Sequence, residues 1–352
     1  MKVSRKIRLL VPEAPAGTNF PRAMPSSEMP KAVENILAAI DAAESILVVG
    51  HIRPDGDCIG SQVGLAMALE GAGKEVTVWN QDPVPDKLRF LDPDKRVRKP
   101  CAGRQFDLVI ATDCAALDRM GRIADFLTED VTLVNIDHHA SNTRYGKLNW
   151  VSPREPSTGE LIFDLCKWAG WKVTQPMADC LFTAVSTDTG SFQYPSTTPD
   201  TLRTAAELVE RGAGLGRICQ EVYQSYPMTR VRLLRHVYTH FRLSDGGQTA
   251  YFWLKKRDYA RAGASTEESE GLIDHIRAID GVVVAMVFEE VSEEVTRVSW
   301  RSKSARVDVA AIAQRFGGGG HKAAAGARIE GRPLGVQRRV LNEVRKSLKA
   351  SA

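Results

Sequence analysis

A short apolar run that stops at ionisable side chains is the feature that most constrains this fold. The run, 46–50, is rich in aliphatic and β-branched residues and predicts a buried strand. It is followed by His51, Asp55 and Asp57, and then by helical spacing over 60–70. Ligands of open α/β sheets lie just past the carboxyl ends of the strands. The stretch therefore predicts a ligand site, with a solvated turn as the alternative.

Two later predicted strands and one predicted helix also end at ionisable residues. The strand 106–112 runs into Asp113, the strand 131–136 runs into Asp137-His138-His139, and Asp188 follows the helical stretch 177–185. Carboxylates and imidazoles without thiolates suit manganese, magnesium or iron. An aspartate that bridges two ions would give the separation of about 3.5–4 Å used in two-metal phosphoryl chemistry. The pattern indicates a metal site, with structural polar residues as the alternative.

These residues resemble the motifs of a known family. His51-x3-Asp55-x-Asp57, Asp113, Asp137-His138-His139 and Asp188, in this order, resemble the four motifs of the DHH phosphoesterase superfamily. The run 317–320 with His321, followed by 323–326, resembles the signature of the DHH-associated C-terminal domain. The resemblance implies an α/β fold: a parallel-sheet N-terminal domain with helices on both faces, and a smaller mixed α/β C-terminal domain.

The resemblance also implies metal ligands and catalytic groups. One ion is held by His51, Asp55 and Asp113, and the other by Asp57, Asp113, His138 and Asp188. The implied cofactor is two Mn²⁺ ions, with Mg²⁺ or another divalent ion as the alternative, and a hydroxide activated between them attacks phosphorus. Asp113 and His139 are the implied catalytic residues. Asp137 is expected to hold His138 through a hydrogen bond.

Substrate binding is assigned by the resemblance to the C-terminal domain. Glycines 318–320 let backbone N–H groups approach a phosphate without interference from a Cβ atom. The expected substrate-binding residues are Arg301, Gly318, Gly319, Gly320 and His321. Arg301 can hold a phosphate in a bidentate manner and His321 can donate to an oxyanion. A flexible loop is the alternative for the glycines.

The chain of 352 residues is long enough for two domains. The expected segments are a flexible tail 1–30, a catalytic domain 31–225, a linker helix 226–240 and a substrate-binding domain 241–352. His236 and His240 have the spacing of a metal pair, but Val237 replaces the Glu of an HExxH signature, which favours a connecting helix.

The composition of the chain says more about the cellular compartment of the protein than about its substrate. The formal net charge of +4 permits an anionic substrate but does not identify one. No apolar run approaches the ~18–20 residues that span a bilayer. Six cysteines without a CxxC motif indicate reduced residues of a cytoplasmic protein.

Lacking accessory domains, the chain most resembles the nanoRNase group. This implies a hydrolase that degrades short single-stranded RNA to mononucleotides and converts 3′-phosphoadenosine 5′-phosphate to AMP, with a homodimer left open. The alternatives are a phosphohydrolase of the same superfamily acting on linear dinucleotides, pyrophosphate or polyphosphate, and a nucleic-acid-binding protein whose metal site is structural. A processive DNA exonuclease is disfavoured because the extra nucleic-acid-binding domain of those relatives is missing.

Overall fold

The computed structural model of the protein describes residues 29–128 and 130–350, so the predicted tail lies outside the described residues except for Met29 and Pro30. The α-helices are α1 Lys31–Ala42, α2 Gly56–Gly71, α3 Thr158–Trp168, α4 Gln175–Asp188, α5 Pro199–Glu210, α6 Leu215–Tyr223, α7 Met228–His240, α8 Lys256–Ala262, α9 Leu272–Arg277, α10 Val309–Gln314 and α11 Pro333–Ala350. The strands are β1 Ser45–Val49, β2 Glu75–Trp79, β3 Val97–Arg98, β4 Leu108–Thr112, β5 Thr132–Asp137, β6 Leu148–Val151, β7 Arg242–Ser244, β8 Thr249–Leu254, β9 Val284–Glu290, β10 Val295–Ser302, β11 Gly319–His321 and β12 Ala324–Glu330.

The first sheet has the strand order β3-β2-β1-β4-β5-β6, and all of its pairs are parallel. The chain builds outward from β1 on one side and then crosses to β4 on the other. A crevice forms at such a switch point, outside the carboxyl ends of the strands. Because β1, β4 and β5 are neighbours, the ionisable residues that follow them share one edge of the sheet. The predicted parallel α/β fold is confirmed.

Helices cover the two faces of this sheet unequally. Ile46 and Val48 of β1 face a core shared with the α-helices of the first half of the chain. Leu47 and Val49 point to the other face, because side chains alternate along a strand. That face is covered by the 3₁₀ helix Leu117–Phe126 and by aromatic side chains. Burial of both faces explains the continuous apolar character of the strands.

Close packing of α2 against α4 joins two segments that carry candidate metal ligands, Asp57 and Asp188. Gly56, Gly60 and Gly64 recur every fourth residue and form a row of small residues along α2. A Cβ atom at Gly60 would lie 2.3 Å from the Cys180 carbonyl oxygen, so only glycine permits this approach. The helices run antiparallel, which places the start of α2 beside the end of α4.

Both helices begin earlier than the periodicity predicts. Helix α2 starts at Gly56 because the Asp55 side chain accepts a hydrogen bond from the Cys58 N–H, as an N-cap does.

The second sheet has the order β11-β12-β10-β9-β8-β7 and is mixed, with β8 and β9 parallel and the other pairs antiparallel. Helices α10 and α11 share a core with one face, and α7, α8 and α9 share a core with the other. Leu233 and Val237 of α7 are buried in this second core, so the predicted linker helix packs on the second sheet. None of the described helices is long and apolar enough to cross a membrane.

Candidate metal centre and active site

His51 follows β1 and presents one ring nitrogen to two carboxylates. Its Nε2 lies 3.3 Å from Asp113 Oδ2 and 3.8 Å from Asp55 Oδ1. Its Nδ1 lies 2.8 Å from the Ile52 carbonyl oxygen, which requires a proton on Nδ1. Arg119 Nη2 lies 3.1 Å from the same nitrogen and would need it as an acceptor, but the shorter contact with the carbonyl favours the protonated Nδ1. Burial opposes the charged ring, yet Cys58, Asp113 and Asp55 together raise the pKa of His51, so Nε2 donates to the carboxylates while it is protonated. Once that proton is lost, Nε2 can ligate a metal ion while Nδ1–H stays bound to the backbone carbonyl.

Asp113 lies between two histidines. Its Oδ2 faces His51, whereas its Oδ1 lies 3.6 Å from His138 Nε2 and accepts a hydrogen bond of 3.1 Å from Thr158 Oγ1. The residue has φ of +56°, a left-handed conformation that is rare outside glycine and recurs at functional sites. One carboxylate therefore adjoins two sets of candidate ligands.

The second set surrounds His138. Its Nε2 lies 3.3 Å from Asp188 Oδ2 and 3.7 Å from Asp57 Oδ2. Asp57 is buried and accepts hydrogen bonds from the backbone N–H groups of Thr158 at 2.7 Å and Gly159 at 2.9 Å. These N–H groups belong to the first turn of α3, which stabilises an anion.

The carboxylates of this cluster repel one another when no cation is present. Burial and the charges of Asp113 and Asp188 raise the pKa of Asp57 above its ordinary range. Burial, with Asp55 and Asp113 adding to it, raises the pKa of Asp188 to about 6. At Asp55 burial is outweighed by hydrogen bonding and attraction to His51, which keep the pKa of this carboxyl below its ordinary value.

The residues fit a centre for divalent metal ions. Groups such as Asp57, Asp113 and His138 place one ligand atom each within 4.8 Å of one another. These donors are carboxylate oxygens and imidazole nitrogens, which suit divalent ions such as manganese. Cys58 also lies within reach of His51 and Asp113, but burial raises the pKa of its thiol, and the neutral thiol is a poor metal ligand. The like charges and the orientation of His51 Nε2 are both accounted for if cations lie among these side chains.

His139 and Asp137 form a separate pair beside this cluster. Asp137 Oδ1 lies 2.8 Å from His139 Nδ1, and its Oδ2 accepts a hydrogen bond of 2.6 Å from Asn142. The expectation that Asp137 holds His138 is therefore wrong, because residues two apart at a strand end project to the same side and adjacent residues do not. Burial opposes the charged imidazole, yet Asp137 and Asp113 together raise the pKa of His139 to about 9.

The second domain brings His321 and Arg301 to the site. The His321 ring lies 4.6 Å from the His139 ring and 5.1 Å from the His138 ring, measured between centroids. Burial and these two histidines lower the pKa of His321 to about 3, so the ring is neutral. Arg301 Nη1 donates to the Trp300 carbonyl oxygen, and its buried Nε has no hydrogen-bond partner among the described residues.

The predicted substrate glycines have different surroundings. A Cβ atom at Gly318 would lie 2.2 Å from the Gly326 carbonyl oxygen, and one at Gly320 would lie 2.5 Å from that of Ala324. Gly319 has open space around it. Packing against β12 accounts for two of the three glycines, so their role in substrate binding stays a prediction.

Three further residues at the site were missed by the sequence analysis. Cys58 Sγ accepts a hydrogen bond of 3.3 Å from the His51 N–H and lies within the ligand group of His51 and Asp113. Thr158 contacts Asp57 and Asp113, and the available signal was its position at a predicted helix start. Burial raises the pKa of Tyr194, and the charges of Arg301 and Asp188 act on it, which connects this residue with the site; no sequence signal marked it.

Comparison with known proteins identifies the family. Residues 45–185 match the DHH family, N-terminal domain, and residues 247–350 match the DHHA1 domain. A relative from Thermus thermophilus, named bifunctional oligoribonuclease and PAP phosphatase NrnA, is 36% identical over 324 residues, which cover 91% of this chain and 95% of the relative. This chain belongs to the DHH family. The resemblance seen in the motifs is confirmed.

Solved structures show the same DHH fold. An exopolyphosphatase-related protein from Bacteroides fragilis superposes with a TM-score of 0.80 and 25% identity, covering 91% of this chain and 96% of the other. RecJ from Thermus thermophilus has a TM-score of 0.51 and 14% identity, covering 91% of this chain and 55% of RecJ.

Proposed function

We propose that this protein is a metal-dependent phosphoesterase that hydrolyses short oligoribonucleotides to mononucleotides and 3′-phosphoadenosine 5′-phosphate to AMP. The substrate class rests on the Thermus relative, which is named for both activities and matches nearly the full length of both chains. Within the molecule, the observation that carries the proposal is Asp113, whose two oxygens face different histidines.

We propose two Mn²⁺ ions as the cofactor. His51, Asp55 and Asp113 would hold one ion, and Asp57, Asp113, His138 and Asp188 the other. The mixture of imidazole and carboxylate ligands favours manganese over magnesium. The structure of RecJ from Thermus thermophilus was solved in complex with Mn²⁺. When bound, such ions neutralise phosphate charge and activate water for attack on phosphorus.

His139 is the proposed proton donor. Its Nδ1 is engaged by Asp137, so Nε2 carries the proton that is available to the substrate. The contact with Asp137 favours the protonated imidazole, which can stabilise a phosphate oxygen or protonate the leaving oxygen. Asn142 donates to the other oxygen of Asp137 and fixes the orientation of this carboxylate.

The second domain is proposed to bind the substrate. Arg301 has an unused buried N–H group, and a phosphate oxygen is the natural acceptor for it. The contact of the His321 ring with the rings of His138 and His139 supports this proposal, because both lie beside the proposed metal ligands. The assignment of 31–225 to catalysis and 241–352 to substrate binding is part of this proposal. Free cysteines, four of them buried, support a reducing cytoplasmic location.

Polyphosphate is the second candidate substrate, because the structural relative from Bacteroides fragilis is described as exopolyphosphatase-related. A two-metal site can hydrolyse the phosphoanhydride bonds of polyphosphate as well as the phosphoester bonds of RNA. The two candidates differ in whether a nucleoside is recognised.

Parallel assays test the proposal. Manganese-loaded protein is incubated with a labelled pentanucleotide, 3′-phosphoadenosine 5′-phosphate, pyrophosphate and a short polyphosphate, and we expect turnover of the first two. Asp113→Ala should lose about four decades of activity, since about 5 kcal/mol of barrier stabilisation depends on the shared carboxylate. Near-normal activity of this variant with full metal content would refute the shared site. Binding of the pentanucleotide without hydrolysis would instead favour a nucleic-acid-binding protein with a structural metal site.

A further inference from the structure

A basic groove lies on the second domain, between the C-terminal helix α11 and the end of α10. Its volume is about 540 Å³. Five cations and one carboxylate are among its lining residues, and these are Arg315, Arg339, Arg345, Lys346, Lys349 and Glu343. We call this feature the α10–α11 groove.

The charge of the groove is unusual for this chain. Helix α11 carries five cations, including Arg338, and Glu343 as its single carboxylate. This excess equals the formal net charge of +4 of the whole chain, so the remainder is neutral on balance. A positive surface of this kind attracts polyanions and speeds their association.

The ion pairs of the groove neutralise only part of this charge. Glu343 is shared, accepting hydrogen bonds from both Arg315 and Lys346. Arg345 pairs with Asp245 at 2.6 Å. Among the described residues Lys349 has no carboxylate partner, and Arg339 donates to the Glu330 carbonyl oxygen. The groove therefore keeps a net positive charge.

The groove adjoins the active site through a short piece of chain. Arg315 and Phe316 are followed directly by the glycines of 317–320, and these lead to His321. β11, which contains His321, is the edge strand of the second sheet. His321 follows Phe316 by five positions, and a chain segment of this length spans at most about 18 Å.

Phe316 adds an apolar surface to the groove. Its ring is half-buried and stacks on Trp300, with centroids 6.4 Å apart and an interplanar angle of 17°. Cations combined with an aromatic ring are the usual composition of surfaces that bind single-stranded nucleic acids, because phosphates pair with the cations and bases stack on the ring.

We infer that the α10–α11 groove binds the distal nucleotides of a single-stranded RNA whose scissile end lies at the metal centre. This inference rests on the proposed function. A dinucleotide has one internucleotide phosphate, the scissile one, so none is left for the groove, whereas a longer strand has further phosphates that can bind there. The groove therefore contributes to the affinity for longer substrates and not to the chemical step.

The test measures binding by the metal-free protein in EDTA, where no hydrolysis occurs. Fluorescent RNA of two and of eight nucleotides is titrated with wild type and with the double variant Lys346→Gln and Lys349→Gln. Lys346 is largely exposed, with 69% of its side chain accessible, so the fold should tolerate the change. The matched control removes the same charge from the catalytic domain by Lys147→Gln and Lys172→Gln, both exposed lysines.

For the octanucleotide, the groove variant should bind roughly tenfold more weakly than wild type, as expected for two exposed ionic contacts. The slope of log K against log salt should become smaller by about 1.4, or about 0.7 for each lost phosphate contact. Dinucleotide binding should be unchanged. Equal affinities and slopes for the groove variant and the control would overturn the inference.

Hydrolysis separates this inference from the proposed function. Manganese-loaded wild type and groove variant should hydrolyse the dinucleotide at the same rate. If wild type fails to hydrolyse it while the groove variant still loses octanucleotide affinity, the proposed function is wrong and the groove stands. If hydrolysis occurs but octanucleotide affinity is unaffected by the groove variant, the groove inference is wrong and the proposed function stands.

Discussion

Gly60→Ala is predicted to lower the activity strongly, although it changes none of the candidate metal ligands. The new Cβ atom would lie 2.3 Å from the Cys180 carbonyl oxygen and 2.9 Å from the Ala184 Cβ atom. Ordinary carbon–oxygen contacts are about 3.3 Å or longer, so α2 and α4 must separate by about 1 Å. These helices carry Asp57 and Asp188, which lie on opposite sides of His138. A displacement of about 1 Å at a catalytic site can reduce the rate about a hundredfold.

The stability change is the balance of two opposing effects. Alanine is favoured over glycine inside a helix by about 1 kcal/mol. Overpacking of a tight interface destabilises by about 1–3 kcal/mol. We therefore expect a net loss of about 0–2 kcal/mol in the free energy of unfolding, which lowers Tm by only a few degrees, or about 2–4 °C for each kcal/mol. Activity should fall far more than stability.

The control is Gly71→Ala at the other end of the same helix. No heavy atom lies within 4 Å of the position its Cβ would take. This variant should keep full activity and gain a little stability. Steady-state rates, metal content and urea unfolding of both variants test the argument. If Gly60→Ala keeps wild-type activity, the separation of α2 from α4 does not control the metal centre.

Three further predictions concern the proposed metals, the proposed substrate-binding arginine and a buried carboxyl. Manganese should activate better than magnesium, and calcium should not support turnover. Rates measured after removal of all metal and readdition of one ion test this. Equal rates with a low concentration of magnesium would argue against His51 and His138 as ligands. Arg301→Ala should keep the metal content but lower kcat/KM for a dinucleotide by about ten- to a hundredfold, since a charge-assisted phosphate contact contributes about 1.5–3 kcal/mol. An equal loss on a simple aryl phosphodiester would show that Arg301 does not recognise the nucleotide. Burial, with Asp164 adding to it, raises the pKa of Glu160 to about 7. Because this pKa exceeds the unfolded value of about 4.3, stability should fall as the pH rises between the two values. Glu160→Gln should therefore be more stable than wild type at pH 8 by up to about 4 kcal/mol in urea unfolding. The same stability difference at pH 5 and at pH 8 would contradict this.

The sequence determined the sheet edge at which the site lies. Short apolar runs ending at His51, Asp113 and Asp137 marked the central strands and their exit residues, because burial on both faces leaves a local signal in these strands. The second sheet was expected only as part of a smaller mixed α/β domain. The strands β11 and β12 were missed because glycine and alanine carry weak strand preferences, and pairing across a short hairpin is what stabilises them.

The tertiary structure decided which side chains meet. Asp57 is held by Thr158, 101 residues away, and no local pattern links the two. The partner of Asp137, the place of Cys58 beside His51 and the contact of His321 with His138 likewise depend on how separate segments pack. Periodicity and turn residues report the environment of a residue's own neighbours in the chain. Contacts between distant segments depend on packing that is fixed only when the helices and both sheets are in place.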